Sequence, residues 1–342
     1  MDFSKEEIME DLSEETIKYT KKIDTLEVQI CPELTDEDFL TNLVNTLKDI
    51  RKKVFDEYGV PLPPIKITCC DKPFSNPEIK IKIFIIGYCI QEINKNEKAE
   101  DIPDIIYNTI KHNIARCITS STIEKIYEEV QKENPTLIST LKSFTNSYAA
   151  VRRVLRELVS NYIPIHNLPL IFESILDCHA RYDIDNRSYW RLMSLARIEL
   201  APTFITDLLN SKREFLFFTV SEKISKYLKE TDCDIFERDF LEPLSNEIKE
   251  VLEDNPYLPL VLDMNENLRQ YYHYKLKFFF PDLKVVSQYE VDKANDFSPF
   301  EKKLIKTIDI PTPKKEEPTE EKKVVKKTPW IKKFFRIFTK RL

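Results

Sequence analysis

The chain has 342 residues, enough for two or three domain-sized units with a real core, and its 42% hydrophobic and 32% charged content is that of an ordinary soluble protein. The net charge is −6, and because the last fifteen residues carry five Lys and Arg and no acid, everything before them stands at −11; such an acidic body argues against nucleic acid as the main partner. Only Gly59 and Gly87 are glycine, which excludes the Walker loop and the dinucleotide fingerprint, since both need several glycines to bring backbone against phosphate.

Residues 1–24 are polar and acid-rich and read as an N-terminal arm without the apolar core of a signal peptide. Residues 25–119 read as a ferredoxin-like α+β unit. Leu26 to Ile30 alternates like a strand, and Thr35 with Asp38 resembles a capping box. Phe39, Leu40, Leu43, Val44, Leu47, Ile50 and Val54 then recur at helical spacing up to Gly59, a C-terminal cap. Pro63 to Cys70 and Glu78 to Ile93 read as strands, the second long or folded into a hairpin, and Ile102 to Ile118 returns to helix.

Residues 120–204 read as a helical unit, with a capping box at Ser121 and Glu124 and with Pro135 and Pro164 as punctuation. Residues 205–300 alternate strand and helix and predict a small α/β unit with a partly parallel sheet; Leu283 to Val291 reads as one of its strands. Residues 301–328 are assigned to a flexible charged linker, Pro-rich from Asp309 onward. The predicted class is therefore α+β with several subdomains, then a linker and a terminal amphipathic helix. No apolar run approaches the roughly 18 residues of a membrane span.

Seven scattered cysteines form no CxxC and read as free thiols in a reducing compartment. Cys69 and Cys70 point to opposite faces of a strand. Cys178 and His179 sit side by side on a helix, about 100° apart, and so do not pair as nucleophile and base. Asp183 and Asp185 supply too few oxygens for a cation, and Asp183 fits a helix start better. The aromatic run from Tyr271 to Phe280 has helical spacing and reads as core and amphipathic surface rather than a base-stacking platform. No constellation points to an enzyme, a metal or a cofactor.

The last fourteen residues, 329–342, do form a pattern. At helical spacing Trp330, Ile331, Phe334, Phe335, Ile337, Phe338 and Leu342 share one side, and Lys332, Lys333, Arg336 and Lys340 share the other. Arg341 falls at the edge of the apolar side, and Pro329 suits the first helical position. A basic face opposite Trp and Phe is the signature of an interfacial helix on an anionic membrane surface. A protein groove, or the acidic body itself, is the other surface such a helix fits.

Five stretches in order resemble the cytoplasmic region of the type III secretion export gate, the FHIPEP family of flagellar FlhA and injectisome SctV proteins. They are Ile50 to Ile67 (IRKKVFDEYGVPLPPIKI), Asn76 to Ile83 (NPEIKIKI), Val154 to Leu168 (VLRELVSNYIPIHNL), Arg181 to Arg197 (RYDIDNRSYWRLMSLAR) and Phe279 to Val291 (FFPDLKVVSQYEV). The resemblance implies a non-enzymatic scaffold or interaction module of protein export. It implies other export-apparatus proteins as partners, and a ring of copies of itself. The family places a membrane domain before this region and inserts a chaperone-docking subdomain into the first unit; here only Asn94 to Asp101 lies at that point, too short for a subdomain, so chaperone docking is not implied. His166 and Asn167 also replace the family's Arg-Asp pair. The tail then acts as a membrane tether on the inner face of the cytoplasmic membrane, or as the arm of a cytosolic regulator that grips one export component.

Overall fold

The computed structural model describes residues 26–34, 36–98, 100–143, 147–181, 189–230, 238–262 and 266–311. The N-terminal arm, Thr35, Asp183, Asp185, Cys233 and the amphipathic helix expected at 329–342 lie outside the described residues.

The first unit is built from β1 (Leu26–Ile30), α1 (Glu37–Tyr58), β2 (Lys66–Cys69), β3 (Ile79–Ile85), β4 (Tyr88–Asn94) and α2 (Ile102–His112). Period-two apolarity decides its inner face: Leu26, Val28 and Ile30 of β1 and Ile79, Ile81, Ile83 and Ile85 of β3 are all buried. On α1 the buried residues are Leu43, Leu47, Ile50, Val54 and Tyr58, one helical stripe. Asp36 caps α1, its carboxylate accepting from Phe39 N–H at 2.8 Å, so the capping box expected at Thr35 and Asp38 is replaced by a single cap one residue on. The two-residue turn between β3 and β4 has Ile86 at φ 50 and Gly87 at φ 76, the paired left-handed residues of a type I′ hairpin.

The ferredoxin-like expectation for this unit needs correction. The sheet order is β2-β1-β3-β4, with β1 and β2 parallel neighbours and β3 antiparallel to both β1 and β4. A ferredoxin-like unit splits its βαβ by placing another strand between the two; here none intervenes. Element type and order follow from local periodicity, but the choice of neighbouring strand depends on which edges meet, and β3, alternately buried along its whole length, takes the centre beside β1.

The helical unit follows as α3 (Ile114–Cys117), α4 (Ser120–Glu133), α5 (Pro135–Ser143), α6 (Ser147–Ser160), α7 (Leu168–Arg181) and α8 (Tyr189–Thr206). Thr119 and Thr122, not Ser121 and Glu124, form the capping box of α4: each hydroxyl meets the other's backbone N–H, and Thr122 also donates to Cys117 O at 3.1 Å. One hydrophobic core runs without a break from the first sheet into these helices, through Ile110, Ile114, Val154, Leu158 and Phe172.

The third unit contains β5 (Glu214–Val220), α9 (Glu222–Glu230), α10 (Arg238–Asp254), β6 (Leu260–Leu262), α11 (Glu266–Lys277), β7 (Val285–Ser287), α12 (Gln288–Phe297) and β8 (Glu301–Ile308). The sheet order is β7-β6-β5-β8, and every pairing is parallel, with a second core around Phe218, Phe240, Ile248, Leu260 and Leu276. Two expectations change. Leu283 to Val291 is a strand only at Val285–Ser287, because Ser287 and Glu290 form a capping box that turns the chain into α12. Glu301–Ile308, assigned to the linker, is the edge strand β8, in register with β5 from Glu214↔Glu301 to Val220↔Ile308. Its lysines gave it the look of a linker. Lys302, Lys303 and Lys306 instead reach Asp292, Glu214 and Glu247, a charged edge of the kind that discourages further strand pairing.

Candidate functional site

The residues picked out in the tail, Trp330 to Arg341, lie outside the described residues. The His and Cys candidates are dispersed. Cys69 is exposed at the end of β2, and Cys178 is buried on α7. His166 meets the ring of Phe55 edge-on at 6.2 Å. Among the described residues no three His, Cys, Asp or Glu side chains converge as a metal site, and no helix is long and apolar enough to cross a membrane.

The charged groups that do converge lie where the three units meet. Glu290 on α12 and Arg197 on α8 are each no more than 1% exposed, and Arg197 Nε donates to Glu290 Oε1 at 2.5 Å. The other carboxylate oxygen, Oε2, accepts from Ser287 N–H at 2.7 Å. Arg269 on α11, also fully buried, donates to Asn161 Oδ1 at 3.2 Å and to Val285 O at 3.0 Å. Burial by itself pushes the Glu290 carboxyl up; the guanidinium groups of Arg197 and Arg269 outweigh it and hold the group below the usual carboxylate range. One carboxylate thus ties the helical unit to the third unit and also caps a helix. The S-x-x-E spelling of Ser287 to Glu290 was a readable signal; reading the stretch as a strand hid it.

His273 lies beside this node on α11, 1% exposed. Burial, then the charges of Arg269, Lys277 and Arg197, push its imidazole well below the usual histidine range. In the unfolded chain the same ring takes a proton near pH ~6.5. The unfolded state therefore binds more protons below that pH, and the stability present above it is lost as pH falls. Moving from about pH 7.5 to about pH 5.5 is expected to cost the wild type roughly 1 kcal/mol more than His273→Leu. Urea denaturation of both proteins at the two pH values measures the difference, and parallel profiles would contradict it.

The outer part of the junction is polar and aromatic. Asp282, in the loop between α11 and β7, accepts from Lys111 Nζ at 2.6 Å and stands 3.6 Å from His112 Nε2, joining the third unit to the end of α2. These two neighbours hold its carboxyl well below the usual range against the opposing effect of burial. Lys277 Nζ donates to Ser160 O at 2.6 Å, and Glu157 on α6 accepts from Gln270 Nε2 at 2.9 Å and from Tyr274 Oη. Hydrogen bonds to charged groups are worth more than neutral ones, about 1.5–3 kcal/mol each when not solvent-screened. The arrangement fixes orientation: one apolar core runs through the first two units and on into the third at Phe215, Val261, Val286, Val291 and Ala294, and a buried ion pair and polar seam add to that junction.

This architecture defines an α+β protein of several subdomains. The sequence pattern of the FHIPEP family matches residues 89–296, more than half of the chain, and the chain belongs to that family. It is 24% identical over 220 residues to the flagellar biosynthesis protein FlhA of Buchnera aphidicola, an alignment covering 60% of this chain and 31% of that protein; the chain spans about a third of that relative's length. Its fold is similar to that of the Shigella flexneri MxiA protein, with TM-score 0.66 and 17% identity over 84% of this chain and 99% of the other. It is equally similar to the nonameric EPEC SctV-C seen by cryo-EM, with TM-score 0.67 and 15% identity over 84% and 99%.

Proposed function

We propose that the chain is a non-enzymatic scaffold or interaction module of a type III protein export apparatus, with other export proteins and further copies of itself as partners. Membership of the FHIPEP family carries this reading. The nonameric form of EPEC SctV-C, on the same fold, supports self-assembly into a ring. The continuous core and the buried Arg197–Glu290 pair suit a part that must keep its shape among several partners. Light scattering of the full chain over a range of concentrations tests assembly. A discrete mass several times the 40.6 kDa of one chain is expected; a monomer at every concentration overturns the ring.

The tail gives the reading a place. A basic, aromatic helix at 329–342 would hold the scaffold at the inner face of the cytoplasmic membrane, each cation near an anionic leaflet adding on the order of 1 kcal/mol. The full chain is expected to float with anionic liposomes and to lose that binding in Phe334→Glu and at high salt. If neither protein floats, and the tail instead retains a single export protein, the tail serves a cytosolic regulator. Between β4, which ends at Asn94, and α2, which starts at Ile102, the chain is short, with Glu97 N–H donating to Asn94 O at 3.2 Å and Asp101 N–H to Lys98 O at 3.0 Å. Docking of secretion chaperones at an inserted subdomain therefore forms no part of the proposal.

A further inference from the structure

The ends of β1 and β2 bring two thiols side by side. The strands run parallel in the register Val28↔Ile67, Gln29↔Thr68 and Ile30↔Cys69. Cys70 N–H donates to Ile30 O at 3.0 Å, so the ladder reaches past that register and leaves Cys31 and Cys70 as its next pair. Neighbouring strands lie about 4.8 Å apart, within the roughly 4.4–6.8 Å that separates the α-carbons of a disulfide. Leu26, Val28 and Ile30 enter the core. By alternation Cys31 then belongs to the opposite face, with Glu27 and Gln29, and Cys70 belongs to that same face with Thr68. Side chains do meet across the two strands there: Thr68 Oγ1 donates to Glu27 Oε1 at 2.8 Å. On its other side Cys31 N–H donates to Lys80 O at 2.9 Å, which holds the residue between β2 and β3.

The two thiols differ in access. Cys31 is 2% exposed, and Lys80 opposite it ion-pairs with Glu33 in the turn that follows. Cys70 is half-buried at the start of the loop to β3. Burial, then the charges of Asp71 and Cys31, raise its thiol, so the pair rests as a dithiol. An oxidant reaches Cys70 first and Cys31 second. The exposed thiols are badly placed to compete. Cys69 is in register with Ile30 and faces the other way. Cys89 on β4 is three strand positions from β2, about 14 Å at the ordinary spacing.

We infer that Cys31 and Cys70 form a redox-controlled staple, a disulfide that ties the edge strand β2 to β1 when a small disulfide oxidant such as oxidised glutathione is present. The Cys70 thiolate attacks one sulfur of the oxidant, the oxidant's S–S bond breaks, and one glutathione thiolate leaves. The Cys31 thiolate then attacks the Cys70 sulfur of the mixed disulfide and expels the second glutathione. Two protein thiols give up two protons and two electrons, and the oxidant takes them up as two thiols. The loop so closed, residues 31–70, contains the whole of α1. Closing it restricts the unfolded chain and fixes an edge strand whose ladder partner is β1 alone.

The test uses the native full chain, incubated with excess oxidised glutathione at about pH 8, where more thiol is ionised. Remaining thiols are alkylated and the digested peptides are mapped by mass spectrometry. The expected product is a pair of peptides joined through Cys31 and Cys70, with no glutathione left at either position. The joined form should melt a few degrees above the reduced one, and dithiothreitol should reverse the change. Cys31→Ala should stop at the glutathione adduct on Cys70, and Cys69→Ala should leave the yield unchanged. Mapping the unaltered chain needs no substitution, so it decides even where Cys31→Ala fails to fold. No Cys31–Cys70 link at any excess of oxidant, a Cys70 link to Cys69 or to another chain, a lasting glutathione adduct on the unaltered chain's Cys70, or a joined form that melts no higher than the reduced one each overturns the staple.

Discussion

Glu290→Gln is expected to lower the unfolding free energy by roughly 3–5 kcal/mol, a large part of the whole stability of a typical domain. The change is nearly isosteric, so no cavity opens, and the amide can still accept from Ser287 N–H. What disappears is the charge that compensates two buried guanidinium groups: Arg197 at 2.5 Å from the carboxylate, and Arg269, whose charge acts on it within the same node. Ser287→Ala separates the smaller capping contribution, about 1 kcal/mol. The double change Arg197→Met with Glu290→Met removes both charges of the bonded pair, and it should recover much of the loss, since an apolar replacement of a buried pair is often neutral. Urea denaturation at neutral pH reads all three. A loss below about 1 kcal/mol for Glu290→Gln would mean that water already reaches the node and that it does not join the units.

Gly59→Ala is expected to cost about 2–3 kcal/mol, more than the 1–2 kcal/mol of a left-handed residue alone. Gly59 ends α1 at φ 72, its N–H donating to Phe55 O. A Cβ there would lie 2.8 Å from His166 N and 3.1 Å from Ile165 C, backbone that no rotamer change can move aside. That backbone is pinned in turn, since Ile165 N–H donates to Tyr58 O at 2.9 Å. Gly59→Asn separates the two causes, because Asn tolerates the left-handed conformation but also carries a Cβ. If close approach dominates, both variants melt early; if Asn restores the wild-type melt, conformation alone explains the glycine.

These two positions show how much was legible beforehand. The cap at Gly59 could be read from a helical stripe that stops at a glycine. Its contact with His166 could not, because residues 107 positions apart in sequence meet only after folding brings the helical unit onto α1. Likewise S-x-x-E announced a helix start at Ser287, but not that Glu290 would be buried against Arg197. An Arg on a helix reads as solvated surface, and only the meeting of α8 and α12 removes water from this one. The edge strand β8 was missed for a related reason. Lys302, Lys303 and Lys306 look like linker charge until Asp292, Glu214 and Glu247 are found opposite them.

By itself the sequence determined the α+β class, the order of most elements and their buried faces, because period-two and period-3.6 apolarity are local consequences of backbone geometry. Five short stretches in order also pointed to the export-gate family. The tertiary structure alone decided that β1 and β2 are parallel neighbours, that β8 completes the second sheet, and that Arg197, Arg269 and Glu290 form the buried node between the helical and third units. Each of these depends on which distant surfaces exclude water from one another, and burial of that kind is a property of the assembled chain rather than of any window within it.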